Sequence, residues 1–534
     1  MIAVAQTTRS DPGTITLSRP SFKGCSSWAL GSSAVTRARA LEELAGRDFD
    51  LLVVGGGIIG AGIAAAAARH GLAVALVERG DFGGATSSAS SKLVHGGLRY
   101  LRLGDVRLVR EAHEERRHLM TRVAPHLVRP QPFLLPLYDS GPYRPAVVQA
   151  GIAVYSTLAR ARLNGLVSAE RAVRMVPGLR TAGLRRCGLY VDCVTNDSRL
   201  TLANVRAAAE GGATVVNGAT VSALRLVGGR VRGADVVADG RTLAVTAKTV
   251  VNAAGPWVDE VRRLADAGAE PSIRLSKGVH VLLAADTAWS AALTIPHDKV
   301  RVSFAVPWEG MLLLGTTDTL HEGGPDAVVA EQADVELVLA EAAGALDDAL
   351  LGRERIRAVF AGLRVLPQSG RETARARRET VYIRDRSGLL TVAGGKLTTY
   401  RRIALDTLER LRGDLGLHRI DREPWPLPGA AGLDRVSFPV EVGPPLRAHL
   451  LGLYGSLASE VLEPAISDPT LLKPLTPEAP DIAAQAVYAA GREWARTPED
   501  ILRRRTTLAL RGLADADLTR RVEQLMGFAS SPVV

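Results

Sequence analysis

Gly55, Gly57 and Gly60 follow the apolar run Leu51–Val54, and Glu78 closes a second apolar run, 23 residues after Gly55. Glycines at this spacing suit a pyrophosphate. The first permits a tight turn, the second lets backbone approach the phosphates, and the third lets a helix pack on a strand. A helix start adds free N–H groups and a partial positive charge. Glu78 can accept from ribose hydroxyls, and its charge would repel a 2′-phosphate, which argues against NADP. NAD and FAD both remain open on this unit alone.

The elements that must hold these residues are legible around them. Ile58 to Arg69 is small and apolar, and alanines 64–68 form helix well. Gly71 and the run Ala73–Val77 follow, so residues 48–78 read as strand, turn, helix, strand and acid. A second stretch, SSASSKLVHGGLRYL at 87–101, is too small and polar for a strand, yet it ends in Gly96-Gly97 followed by Arg99 and Tyr100.

The bulk numbers narrow the classes. The chain has 534 residues, 46% hydrophobic and 23% charged, which suits a globular protein of two or three domains. Net charge is +10, almost all from arginine, since only seven residues are lysine. The longest basic run is Arg503–Arg505, so nucleic acid is not an expected partner. An anionic small substrate or an anionic membrane surface suits diffuse positive charge better. Three cysteines, Cys25, Cys187 and Cys193, without a CxxC motif favour a reducing, cytoplasmic compartment. No apolar run approaches the ~20 residues that span a bilayer. Residues 1–47 lack a secretory signature and read as a loose extension.

Four ordered segments carry a family resemblance: TSSASSKLVHGGLRYL (86–101), VVNAAGPWVDEV (250–261), VPWEGMLLLGTTDT (306–319) and AGGKLTTYR (393–401). Together they resemble the FAD-dependent, quinone-linked glycerol-3-phosphate dehydrogenases, which are peripheral membrane enzymes. The resemblance implies FAD as the cofactor. It places Thr86, Ser87, Ser90, Ser91, Lys92, His95, Gly96, Gly97 and Leu98 along the pyrophosphate and isoalloxazine. Ala254 and Gly255 return to the flavin, and Gly394, Gly395, Lys396, Leu397 and Thr398 form its last loop. The chain departs from the pattern in the proline three residues after Arg364, in Gly83-Gly84, and in Asn196 where an acid is common.

The reaction so implied is oxidation of sn-glycerol 3-phosphate to dihydroxyacetone phosphate, with electrons passed to a membrane quinone. Arg99, Tyr100, Arg364, Lys396 and His280 are then the substrate-binding set. Guanidinium grips phosphate in a bidentate fork. His280, Arg364 and Lys396 are the candidates for catalysis. A neutral imidazole suits proton transfer near neutral pH, whereas Arg364 could only stabilise a developing alkoxide. Asp318 reads as a turn carboxylate. The alternatives are an oxidase passing electrons to O2, a flavin amine or amino-acid oxidase, and a non-catalytic flavoprotein. No metal site is expected. The implied location is the cytoplasmic face of the cell membrane, and a homodimer is compatible with the sequence.

The expected fold is α/β: an FAD-binding Rossmann-like domain of the glutathione-reductase and amino-acid-oxidase type, an α+β substrate domain and an all-α C-terminal cap. Residues 48–125, 195–256 and 376–412 are assigned to the first, 126–194 and 257–375 to the second, 413–443 to a linker and 444–534 to the cap. Residues 143–162 are apolar between arginines. They read as a core helix or as a helix lying on a membrane surface.

Overall fold

The computed structural model describes residues 33–98, 105–160, 164–298, 301–368 and 380–530. The run that precedes the glycines becomes the strand Asp48–Val54, paired in parallel with Val74–Val77 on one side and Arg241–Asn252 on the other. Beyond them lie Thr214–Val216 and Leu390–Gly394, also parallel, with Thr380–Arg384 antiparallel at the edge. Leu51, Leu52 and Val53 are all fully buried, because a parallel sheet is covered on both faces.

Helix Ile58–Arg69 covers one face, packed between helices Asp197–Glu210 and Tyr400–Leu411. Its small residues are what allow this: a Cβ on Gly62 would stand 2.9 Å from the Tyr400 ring. The other face carries an antiparallel meander of Ala219–Val227, Arg230–Ala238 and Arg241–Asn252, turning at Gly228-Gly229.

A second sheet has ten strands. Strand Ile273–Ala284 lies between Met311–Gly315 and Ile356–Pro367, with His280 opposite Gly315 and Phe360. Ser276 pairs with Arg364 and Gly278 with Gly362, so the side chains of residues 276, 280, 360 and 364 share one face. Both glycines keep that face open. A Cβ on Gly278 would meet the Arg364 guanidinium at 2.4 Å, and one on Gly362 would meet the Ala89 carbonyl at 2.8 Å.

The C-terminal part is helical, from Pro444–Tyr454 to Ala516–Ser530, around its own apolar core of Leu450, Val461, Ile482 and Val522 among others. Thr497 caps the turn that opens at Pro498, accepting from the Asp500 N–H.

Part of the 1–47 span, read from sequence as a loose extension, is a packed helix. Residues Ser33–Gly46 form a helix that buries Leu41 and Leu44 against the core beneath the meander. Arg37 ties it to Asp239 and to the Asn217 carbonyl. Two leucines three apart form an apolar stripe only once a sheet is there to cover them. Helix Pro145–Leu158 is half packed: Ile152 and Tyr155 are buried, whereas Val147 and Val154 are 64% and 48% exposed. No helix among the described residues is long and apolar enough to cross a membrane.

Candidate active site

A cavity of about 630 Å³ runs along the C-terminal ends of the parallel strands. Glu78, Gly55 and Gly57 line one part, Thr86, Ser87 and Ser90 the middle, and Gly394, Gly395, Lys396, Leu397 and Arg364 another. Ala254 and Gly255 line it as well. Gly55 takes φ +108°, a conformation that glycine adopts without a Cβ penalty. Gly60 does not reach the cavity. Its role is packing: a Cβ there would stand 1.9 Å from the Gly55 carbonyl oxygen.

Glu78 holds the turn from below. Its carboxylate accepts from Gly56 N–H at 2.7 Å and from Gly80 N–H at 2.8 Å. Burial raises its pKa above the ordinary carboxylate range, and those two N–H groups oppose the rise. Ser87 Oγ accepts from Ile58 N–H at the start of the helix, 2.9 Å away. Thr86 Oγ1 donates to the Leu363 carbonyl at 2.7 Å, which ties the loop to the strand bearing Arg364.

The remaining loop residues turn elsewhere. Ser91 Oγ lies 2.9 Å from His280 Nε2. Lys92, expected along the cofactor, points its ammonium into the interior. It meets Asp197 at 2.7 Å, donates to the Ser88 carbonyl and lies over the Trp308 ring. An unpaired ammonium this deep would be untenable, and Asp197 at the start of a neighbouring helix supplies the counter-charge. Ser90 donates to the same carboxylate. His95 exchanges hydrogen bonds with Thr398, its N–H donating to Oγ1 and its carbonyl accepting from that hydroxyl. Gly96 N–H donates to buried Asp192. The absence of a side chain at 96 makes room for His113, whose ring would otherwise meet a Cβ at 2.2 Å. Gly97 takes φ +78°, and Leu98 packs against the second sheet's core. Arg99 and Tyr100 lie outside the described residues.

His280 is 3% exposed and stacked on Phe360, with ring centroids 5.0 Å apart. Burial, then the charges of Arg364 and Lys92, hold its pKa well below 6.5, so the ring is neutral at neutral pH. Arg364 donates to Thr316 Oγ1 at 2.7 Å and to the Thr317 carbonyl at 2.9 Å, and lies 3.6 Å from Asp318. Asp318 also accepts from Ser276, so it is a bracing carboxylate on this face.

Sequence reading missed a second set of cavity-lining residues. Arg79 and Trp257 stack with the guanidinium 4.0 Å from the ring centroid. Val221 comes from the meander, and Asp500 and Arg504 from the C-terminal helices. Arg79 follows Glu78 directly and was within reach of the motif. Trp257 lies inside the quoted segment 250–261, whereas Val221, Asp500 and Arg504 carry no local signal.

The family described as FAD dependent oxidoreductase matches residues 50–401. The C-terminal domain of alpha-glycerophosphate oxidase matches residues 423–529. Glycerol-3-phosphate dehydrogenase 2 of Mycobacterium tuberculosis is 39% identical over 506 residues, covering 90% of this chain and 84% of that protein. The chain belongs to the FAD-dependent glycerol-3-phosphate dehydrogenases. Within this family, aerobic glycerol-3-phosphate dehydrogenase of Staphylococcus saprophyticus is 33% identical, covering 89% of this chain and 90% of its own. The glycerol-3-phosphate dehydrogenase of Bacillus halodurans, solved with FAD, superposes with a TM-score of 0.73 at 28% identity, covering 94% of this chain and 99% of its own. The residues present fit the family's FAD: glycine backbone at a helix start where Gly57 brings no side chain of its own, and a buried carboxylate at the end of the second strand.

Proposed function

We propose that this chain oxidises sn-glycerol 3-phosphate to dihydroxyacetone phosphate and passes the electrons to a membrane quinone. FAD supplies the acceptor for the C2 hydride. The protein supplies charge, orientation and a proton acceptor. Arg364 and Lys396 line the same cavity from different elements, and this pairing of two cations carries the reading of a phosphate dianion. Two cations suit a phosphate better than an amine.

His280 takes the C2 hydroxyl proton. It is neutral before the reaction, and it shares a strand face with Arg364. Bound phosphate offsets the Arg364 charge that depresses the imidazole, so substrate itself makes His280 a better base. Arg364 then stabilises the alkoxide as it develops.

Dehydrogenase relatives aligned over most of their length support the quinone, and exposed Val147 and Val154 beside Arg144 support a membrane contact. The match of residues 423–529 to a domain named for an oxidase favours O2 as the second reading. Anaerobic mixing with sn-glycerol 3-phosphate is expected to bleach the flavin, and glycerol or glycine is not. Persistence of the yellow band would end the proposal. Peroxide formed one-to-one with product would replace the quinone by O2.

A further inference from the structure

Arg503–Arg505, the longest basic run, lies far in sequence from the glycine turn. In the fold it is driven into the cofactor-binding sheet. Asp81 stands three residues after Glu78 and is buried. It accepts from Arg504 Nε and from Arg505 Nη1, and from Arg505 Nη2 at 2.8 Å. Asn217 adds a fourth bond at 3.3 Å. Arg504 is braced by Asp500 at 2.6 Å, and Arg505 donates to the Glu493 carbonyl.

Asp81 also shapes the cofactor loop. Its carbonyl accepts from Gly84 N–H at 2.9 Å, while Gly83 N–H reaches back to the Gly56 carbonyl at 3.0 Å. Asp81, Gly84, Asp500 and Arg504 all line the cavity that holds Glu78 and Gly57. A continuous path of hydrogen bonds therefore leads from the C-terminal helices to the glycine turn.

We infer that Asp81 is a positioning residue through which Arg504 and Arg505 of the C-terminal domain set how tightly FAD is held. Two guanidinia on one buried carboxylate fix the 81–84 turn, and that turn fixes Gly56. The inference rests on FAD occupying this cavity.

The test uses the full-length chain with its flavin. The FAD dissociation constant is measured by the fluorescence of released flavin, and the thermal midpoint is taken with and without added FAD. Asp81→Asn is expected to raise the dissociation constant about tenfold or more, because Arg505 then loses its buried carboxylate and Arg504 is left to Asp500. The rise in midpoint on adding FAD shrinks accordingly. Arg504→Gln is expected to weaken FAD in the same direction, and Arg504→Lys to recover most of the affinity. Arg504→Gln leaves the Arg505 pair intact, and it decides the matter by the same criterion if Asp81→Asn fails to fold. Affinity within twofold of wild type in these variants, with a lower midpoint for the FAD-free chain, would reduce the cluster to a weld between domains. A wild-type chain that binds no FAD would overturn this inference and the cofactor assignment together.

Discussion

Ser91 Oγ holds Nε2 of His280 at 2.9 Å, while Nδ1 of the same ring is buried with no hydrogen-bond partner. The ring is therefore anchored from the cofactor loop through a single nitrogen. His280→Gln is expected to lower the anaerobic flavin-reduction rate ~10²–10⁴-fold, the usual worth of a positioned base. Because the pKa of His280 lies well below 6.5 in the free enzyme, kcat/KM should show no inflection from this group between pH 6 and 8. A stopped-flow rate unchanged in His280→Gln would assign proton removal to another residue.

Arg364 pairs across the strands with Ser276 and reaches Thr316 and Thr317. Arg364→Ala should cost ~2–5 kcal/mol in kcat/KM if it faces a desolvated phosphate. Added inorganic phosphate should inhibit the wild type and leave this variant nearly untouched. Equal inhibition of both would remove Arg364 from the phosphate site.

Lys92 and Asp197 meet at 2.7 Å with side chains 1% and 0% exposed. Removing one partner strands a buried charge, so Lys92→Met or Asp197→Asn should each lose ~3–5 kcal/mol in urea denaturation. The double substitution Lys92→Met with Asp197→Asn should lose clearly less than the sum of the two single losses. Additive losses in the double variant would contradict the pairing.

Three histidines are buried in their neutral form. Burial, then Arg116, pushes His113 down to about 3. Burial, then Arg199, pushes His126 down to about 4. His280 is depressed by burial, Arg364 and Lys92. Below pH 6.5 the unfolded chain takes up these protons and the folded chain does not, so stability falls as pH drops. Each residue contributes up to ~1.4 kcal/mol per pH unit. The contribution of His126 ends near pH 4 and that of His113 near pH 3. Urea midpoints at pH 7.5, 6 and 5 test this. A flat profile from 7.5 to 5 would mean that these rings already titrate in the native state.

The glycine turn, the covering helix and Glu78 were legible because they form one local unit, in which each residue's task is set by neighbours within some thirty positions. The Gly228-Gly229 hairpin and the Thr497 cap are local in the same way. The loop at 86–98 was legible as a loop but not in its facing. Lys92 turns inward because Asp197 waits there, 105 residues on, and Gly96 is bare because His113 fills its space. Helix Ser33–Gly46 looked like loose chain because Leu41 and Leu44 have nothing to bury against until the meander forms.

By itself the sequence determined the nucleotide-binding unit, the cofactor-loop motifs and the helical character of the C-terminal part. Local spacing and hydrophobic period carry those directly. Only tertiary structure decided which charges face the cavity and which are spent on one another. Arg364 and Lys396 reach the cavity, Lys92 and Arg505 are matched to buried carboxylates, and Arg504 does both. A charged side chain follows the nearest available counter-charge in three dimensions, and that partner can stand 424 residues away, as Asp81 does from Arg505.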